Sequence, residues 1–324
     1  MKAILITKYG GTEVLQVKEV PNPWPKENEI LIKIHAAAIN NTDIVFRKGK
    51  PFVSRFFTGL LKPKHYIPGD VLAGKVIEIG NNVTRFKIGD YVYGYSTDTF
   101  GAYAEYKCLP ENSAITIIPE NISFEEAAGI VDGGHTALVF LRDKGNINNK
   151  QKVLIYGASG SVGTAAIQIA NSYGAEVIAV CSTSNIEMVK SLGAKRIIDY
   201  TTNEFTLENK KYDIIFDTVA KKSFSQCKNV LSDNGIYLTT FPTPAVLIKQ
   251  LFQSKEKGKR ALFVAASMKP VAEKIKNLQY LSGLIKSDKL KTIISKKYSM
   301  DDIAEAHRYV ETGHKKGNIV IKIC

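Results

Sequence analysis

Residues 153–170 read VLIYGASGSVGTAAIQIA. A short apolar run is followed by a burst of small residues and then by TAAIQIANSYG, whose apolar positions have helical spacing. A strand that feeds Gly157, Ala158, Ser159, Gly160, Ser161, Val162 and Gly163 straight into a helix leaves no large side chain over the helix N-terminus. Something must approach that backbone closely. The free N–H groups and the positive end of the helix dipole favour an anion, and the pyrophosphate of a dinucleotide is the usual occupant of this arrangement. The motif is A-x-G-x-x-G rather than strict G-x-G-x-x-G, because Ala158 takes the first glycine position.

A lone glycine motif is a weak signal, so its surroundings decide. The successive strand candidates KVLIY, AEVIAVC, RIID, YDIIFDTV and GIYLTTF are each expected to be separated by a helical segment closing near a glycine, as at Gly174, Gly193 and Gly235. Such alternation predicts a parallel sheet wrapped by helices on both faces. The motif sits in the first turn of that unit. Which dinucleotide it takes depends on the end of the next strand, where a carboxylate would hold the ribose hydroxyls of NAD. Here Cys181 is followed by Ser182, Thr183, Ser184 and Asn185, hydroxyls and an amide with no acid among them to repel a 2′-phosphate. NADP is favoured, although no Arg or Lys in the stretch clamps the phosphate.

Ahead of this unit, residues 1 to about 121 read as strands and turns, with EILIKIHAAAI, VLAGKVIEIG and DYVYGYS punctuated by Gly and Pro. The character changes at NISFEEAAGIVDGGHTALVFLRD, where Ser123 and Glu126 have the spacing of a capping box at the head of an apolar helix. After about residue 268 come two helical stretches and a short strand, NIVIKI. At 324 residues the chain is long enough for two domains. No run of 18 apolar residues and no basic start with an apolar h-region is visible, and on that ground the cytoplasm is the expected compartment.

The four cysteines, Cys108, Cys181, Cys227 and Cys324, lack C-x-x-C spacing and read as free thiols. The net charge of +13 is spread along the chain among acidic residues, which argues against a nucleic-acid face. One stretch stands out. In RKGKPFVSRFFTGLLKPKH, residues 47–65, Lys48, Lys50, Arg55, Lys62 and Lys64 flank Phe52, Phe56, Phe57, Leu60 and Leu61 with no acid among them. That pattern suits a weak peripheral contact with an anionic membrane. The alternative is a loop whose aromatics face a substrate cleft or a partner subunit.

The order of a β-rich half, an AxGxxG unit and a C-terminal return resembles the medium-chain dehydrogenase/reductase superfamily, and within it the zinc-free quinone oxidoreductase-like branch. The resemblance spans the whole chain and is carried by INNTDIVFRKG, PGDVLAGKVIEIGNNVTRFKIGDYVYG, FGAYAEY, GHTALVFLRD, VLIYGASGSVG, SLGAKRIIDY and EAHRYVETGHKKGNIVI. It implies an α/β architecture. A β-rich GroES-like catalytic domain would comprise residues 1–121 and 269–324, and a Rossmann domain with a doubly wound parallel sheet would comprise 122–268. It also implies a homodimer formed through the edge of the Rossmann sheet.

Zinc-dependent members hold the metal with a Cys in the segment matching INNTD and a His in the segment matching PGDVLAG. Here those places carry Asn40 and Gly69-Asp70, so a tetrahedral N and S site is not expected. Hydride transfer from NADPH to a quinone or to the β-carbon of a conjugated enone or enal then fits better than metal-assisted alcohol oxidation. The resemblance places Asn40 beside the nicotinamide and Thr136 at its ribose or phosphates. Tyr200 would flank the adenosine 2′-phosphate, Phe241, Phe263 and Val264 would line the nicotinamide, and Lys316, Gly317 and Asn318 would approach the cofactor.

There are departures from the family pattern. Val45 stands where a tyrosine is frequent, so no side-chain proton donor is named and solvent is left as the source. Ser161 replaces a glycine of the loop, and His135 replaces a leucine and reads as packed in a helix. Asp43 reads as an internal polar contact. His35, His65, His307 and His314 show no metal-ligand spacing. Residues 47–65 and 251–260 are expected to wall the pocket. A dinucleotide-binding sensor or scaffold with little turnover, and a reductase of enoyl thioesters, stay open as alternatives.

Overall fold

The computed structural model describes residues 1–96, 100–252 and 258–324, so residues 253–257 of the expected pocket wall lie outside the described part. The chain forms two compact units. One comprises Met1–Asp132, Pro270–Lys286 and Thr292–Cys324, the other Gly133–Lys269 and Ser287–Lys291.

The second unit is built on six parallel strands, β1 (Lys152–Tyr156), β2 (Glu176–Cys181), β3 (Arg196–Asp199), β4 (Tyr212–Asp217), β5 (Leu231–Thr239) and β6 (Arg260–Phe263). Their spatial order is β3-β2-β1-β4-β5-β6, the doubly wound order whose reversal lies between β1 and β4. Strands covered on both faces must be apolar throughout, and Val153, Leu154, Ile155, Val177, Ile178, Ala179, Ile214, Ile215 and Phe216 are all buried. Tyr156 pairs with Val180 on one side and with Asp217 on the other, so the carboxyl ends of these strands share one edge. The helix Ser161–Ser172 returns from that edge.

Three features differ from the sequence expectation, the first being that Gly235, expected to close a helix, lies inside β5. No α-helix joins β3 to β4; the connection holds only a 3₁₀ turn, Phe205–Leu207. The residues between are polar and short-ranged. Asp199 accepts from the Thr201 backbone and Glu204 from the Thr206 backbone, and such local bonds compete with a helix. The sixth strand, β6, has no counterpart among the five expected.

In the first unit, Glu29–Ala38 is the central strand of a seven-stranded sheet. Val71–Ile79 and Tyr106–Pro110 pair with it antiparallel, and Asn318–Lys322 joins it at the far end, followed by Ile294–Ser299. Its inward residues Ile30, Ile32 and Ile34 pack with Leu72, Val76, Val92, Ile115 and Ile319. The helix Asn41–Lys48 leaves the end of this strand and stops at Gly49, whose φ of 57° is open to glycine at little cost. The capping box is as expected: the Ser123 backbone donates to Glu126 at 2.9 Å, the Glu126 backbone donates to Ser123 Oγ at 3.2 Å, and the helix Phe124–Leu138 follows.

Candidate active site

In the second unit the residues of the glycine motif form a cradle at the carboxyl edge of the sheet. Gly157 has φ of 81°, and a Cβ there would meet Thr218 Oγ1 at 2.5 Å. At Gly163 a Cβ would lie 2.2 Å from the Gly157 carbonyl oxygen, so this glycine lets the helix pack onto the turn. Gly160 differs. A Cβ there would meet only the Gly157 oxygen, at 3.5 Å, and no side chain caps the helix that Gly160 begins. Open space over an uncapped helix N-terminus is what a pyrophosphate requires.

Asn185 adds a second observation. Its Nδ2 donates to Ser159 Oγ at 3.1 Å and to Ser182 Oγ at 3.0 Å, tying the loop after β2 to the glycine motif. Its Oδ1 is buried and has no hydrogen-bond partner among the described residues. A buried acceptor left open beside the cradle suits a ribose hydroxyl. The residues present therefore fit a dinucleotide. Ser182 and Ser184 lie 3.4 Å apart, hydroxyl to hydroxyl, in the same loop.

The structure brings a carboxylate to this loop that the sequence reading did not place there. Asp199, at the end of β3, accepts from Thr183 Oγ1 at 2.5 Å and from Thr201 Oγ1 at 2.7 Å. These bonds, Thr183 first, hold its carboxyl below the usual range. Tyr200 follows it, half exposed, with its ring 6.4 Å from that of Tyr156. Also unforeseen is the loop after β4. The wholly buried Asp217 accepts from the backbones of Val219, Ala220 and Lys222 at 2.8–3.1 Å and so shapes the turn that faces Gly157. An acid ending a strand was the only sequence signal for it.

The remaining expected residues of this unit are distributed as follows. The helix carrying Thr136 comes close to Ser161, since a Cβ at Gly133 would lie 2.4 Å from Ser161 Oγ. Thr136 is partly buried three residues further on, and His135 is wholly buried, in keeping with its reading as a helix-packed residue. Phe241 is half exposed after β5. Phe263 ends β6, packs partly against the core and donates its backbone N–H to Gln250 at 2.8 Å; Val264 follows it.

In the first unit Asn40 is buried at the N-cap of Asn41–Lys48. Its backbone N–H donates to Asp43 Oδ2 at 2.8 Å, and its side-chain Nδ2 donates to Asp70 Oδ1 at 3.4 Å. Asp43 is thus the internal polar contact expected of it. Burial pushes its carboxyl up to about 7, opposed by the Asn40 hydrogen bond. Burial, then the charges of Asp43 and Asp132, raises Asp70 well above the usual range, and burial also raises Asp132. The nearby ammonium of Lys315 is lowered by burial, against the pull of Asp132 and Asp43. Carboxyls enclosed this way favour their protonated form. Lys315 precedes the expected Lys316, Gly317 and Asn318. Gly317 has φ of 53° and Asn318 donates to the Ile293 carbonyl from its backbone at 2.7 Å and from its amide at 3.1 Å, so this loop is held firmly.

Two family models match the chain: an alcohol dehydrogenase GroES-like domain over residues 26–120 and a zinc-binding dehydrogenase over residues 192–321. A quinone-oxidoreductase homolog of Spinacia oleracea is 34% identical, the match covering 99% of this chain and 98% of the relative. An NADPH-dependent alkenal/one oxidoreductase of Arabidopsis thaliana is 32% identical over 99% of this chain and 79% of its own length. Among solved structures, the quinone oxidoreductase from Coxiella burnetii superposes with a TM-score of 0.88 at 32% identity, covering 100% of this chain and 99% of that one.

These relatives correct one expectation. The spinach protein and two others, from Arabidopsis thaliana and Triphysaria versicolor, carry names that place them in the chloroplast or its envelope, which overturns the cytoplasmic assignment. The physical reason is that the lack of an apolar span, or of a basic start with an apolar h-region, speaks to membrane insertion and secretion and not to which aqueous compartment holds a chain. The fold itself is unaffected. Its two matched segments, its doubly wound sheet and its full-length relatives agree that the chain belongs to the quinone oxidoreductase-like branch of the medium-chain dehydrogenase/reductase superfamily.

Proposed function

We propose that the chain is an NADPH-dependent reductase of quinones or of the C=C bond of conjugated enones and enals, working without zinc. The observation that carries the reading is the empty space over Gly160 beside the unpaired Asn185 Oδ1, set at the switch point of the parallel sheet. NADPH, when bound, supplies the hydride. The backbone from Ala158 to Gly163 binds the pyrophosphate, with Ser159 and Ser161 beside it. Ser182, Thr183, Ser184, Asn185 and Tyr200 take the adenosine ribose and its phosphate. Thr136, Phe241, Phe263, Val264, Lys316, Gly317 and Asn318 complete the set that orients the cofactor.

Asn40 is the residue assigned to the reacting end. Its amide is aimed by Asp70 and its backbone by Asp43, so its orientation is set before substrate arrives. Preorganised polar groups of this kind can stabilise the charge that develops on a carbonyl oxygen. One matching family description names zinc. At the two places where such relatives carry a Cys and a His this chain has Asn40 and Gly69-Asp70, an amide and a carboxyl already hydrogen-bonded to each other in place of a thiolate and an imidazole. Among the described residues no group of three or more His, Cys, Asp or Glu is placed to hold a metal ion.

The division of labour follows the chain, with residues 1–121 and 269–324 as the catalytic domain and 122–268 as the dinucleotide-binding one. The working form is a homodimer joined through the Rossmann sheet edge. In support, β6 has one neighbouring strand among the described residues, and Leu247, Ile248, Leu251 and Phe252 of the adjoining helix Pro244–Phe252 are exposed. Residues 47–65 make a weak peripheral contact with a membrane.

The test is oxidation of NADPH and of NADH by chelator-treated protein, with an aromatic ortho-quinone and with an aliphatic enone as acceptors. Metal-free turnover with NADPH preferred is expected. Binding of NADPH without turnover of either acceptor would replace the reductase by the sensor or scaffold.

A further inference from the structure

Residues 44–69 contain no Asp or Glu. Within this span Phe56 is 68%, Phe57 74%, Leu60 53% and Leu61 93% exposed, and Phe52 and Val53 are exposed beside them. Six large apolar side chains facing water within ten residues exceed the scattered exposure normal for a surface.

The backbone that presents them is tied down. Tyr9 Oη hydrogen-bonds to Thr58 Oγ1 at 2.9 Å and donates to the Gly59 carbonyl at 2.5 Å. The Lys64 backbone donates to the Thr58 carbonyl at 2.6 Å, and Thr58 and Pro63 are buried. The Arg55 guanidinium lies over the Tyr9 ring at 4.5 Å and donates to the Gly49 carbonyl at 3.0 Å. These polar contacts hold the backbone of the segment in place while its apolar side chains stay exposed.

The charges beside the patch say what covers it. Arg47 and Lys48 are paired with Glu311 and are not free for a partner. Lys50, Lys62 and Lys64 are exposed and make no ion pair among the described residues. Three ammonium groups without an ion pair among the described residues, one of them 5.9 Å from the Tyr66 ring, border aromatic and leucine side chains and complement a surface that is anionic in its outer layer and apolar beneath.

Resting on the reading of a peripheral membrane contact, we propose that residues 50–64 dock on an anionic phospholipid bilayer. Phe56, Phe57, Leu60 and Leu61 enter the boundary between headgroups and acyl chains, and Lys50, Lys62 and Lys64 engage the lipid phosphates. Each such lysine is worth about fivefold in partition at low salt, so anionic lipid matters roughly a hundredfold in total.

The experiment is flotation of the full chain with vesicles of phosphatidylcholine alone and of phosphatidylcholine mixed with phosphatidylglycerol. The Phe57→Ser/Leu61→Ser and Lys62→Glu/Lys64→Glu variants are compared, with circular dichroism showing that each folds. The expected result is binding to the anionic vesicles only, weakened by salt and lost in both variants. Equal binding to both vesicles would leave the membrane contact standing and overturn the anionic specificity. Binding to neither would overturn both. Loss of self-association in the Phe57→Ser/Leu61→Ser variant, without vesicle binding by the parent, would make the patch a contact between copies and overturn the proposal. The reductase reading is judged separately, by NADPH oxidation.

Discussion

Thr183 donates its hydroxyl to Asp199 at 2.5 Å, joining the loops that follow two neighbouring parallel strands. The chain thereby places a carboxylate beside the hydroxyl loop proposed for the adenosine phosphate. Like charges repel, and the repulsion acts on NADPH and not on NADH. Asp199→Asn is expected to raise kcat/KM for NADPH several-fold while leaving that for NADH little changed. An unchanged ratio between the two cofactors would remove the 2′-phosphate from this loop.

Gly160 and Gly163 separate binding from folding. A methyl at Gly163 would strike the Gly157 carbonyl oxygen at 2.2 Å, so Gly163→Ala should lower stability by about 1–3 kcal/mol, read from denaturant melts. A methyl at Gly160 finds only that same oxygen at 3.5 Å, and Gly160→Ala should fold as the parent does. Its NADPH dissociation constant should nonetheless rise by roughly tenfold or more, about 1.4 kcal/mol, because the methyl occupies the space kept for the pyrophosphate. Parental affinity in Gly160→Ala would place the phosphates elsewhere.

Asn40→Ala withdraws the donor from Asp70 and leaves a buried carboxyl with fewer partners, at a cost of about 1–3 kcal/mol. If Asn40 serves the reacting end, turnover falls while the affinity for NADPH stays, since the cradle is in the other unit. A drop in NADPH affinity matching the drop in turnover would reassign Asn40 to scaffold alone.

Asp43 gives a pH signature with a definite sign. Its folded value, pushed up to about 7 by burial, exceeds the usual carboxylate value, so the folded state holds a proton that the unfolded chain releases. Its stabilising contribution is complete at acid pH and is lost as pH rises through about 4 to 7, by at most about 1.4 kcal/mol per pH unit. Asp43→Asn keeps an acceptor for the Asn40 backbone and removes the titration. Denaturant melts at pH 5 and pH 8 should show the variant gaining on the parent at the higher pH; an equal difference at both would show that Asp43 stays ionised throughout.

The buried His307 works in the opposite direction. Burial, then the charge of Arg47, lowers its imidazole to about 3, so folding stability is lost as pH falls from about 6.5 toward 3. His307→Phe, facing the Tyr103 ring 6.1 Å away, should flatten the acid side of the profile. A parent whose stability does not fall below pH 6 would contradict it.

What the sequence determined by itself were the features written in neighbouring residues. The strand–glycine–helix unit at 153–170, the capping box of Ser123 and Glu126, and the apolar runs of the parallel strands each follow from short-range sterics and periodicity, and the structure has them where they were expected. The 200–211 connection departs from the expected helix because spacing alone does not show Asp199 and Glu204 capturing backbone N–H groups. Only the tertiary structure joined Asp199 to Thr183, sixteen residues apart, and Asn40 to Asp70, thirty apart. Those pairs depend on which strands become neighbours and on how deeply each carboxyl is buried. Burial sets the charge of a carboxyl, and no local pattern of residues records it.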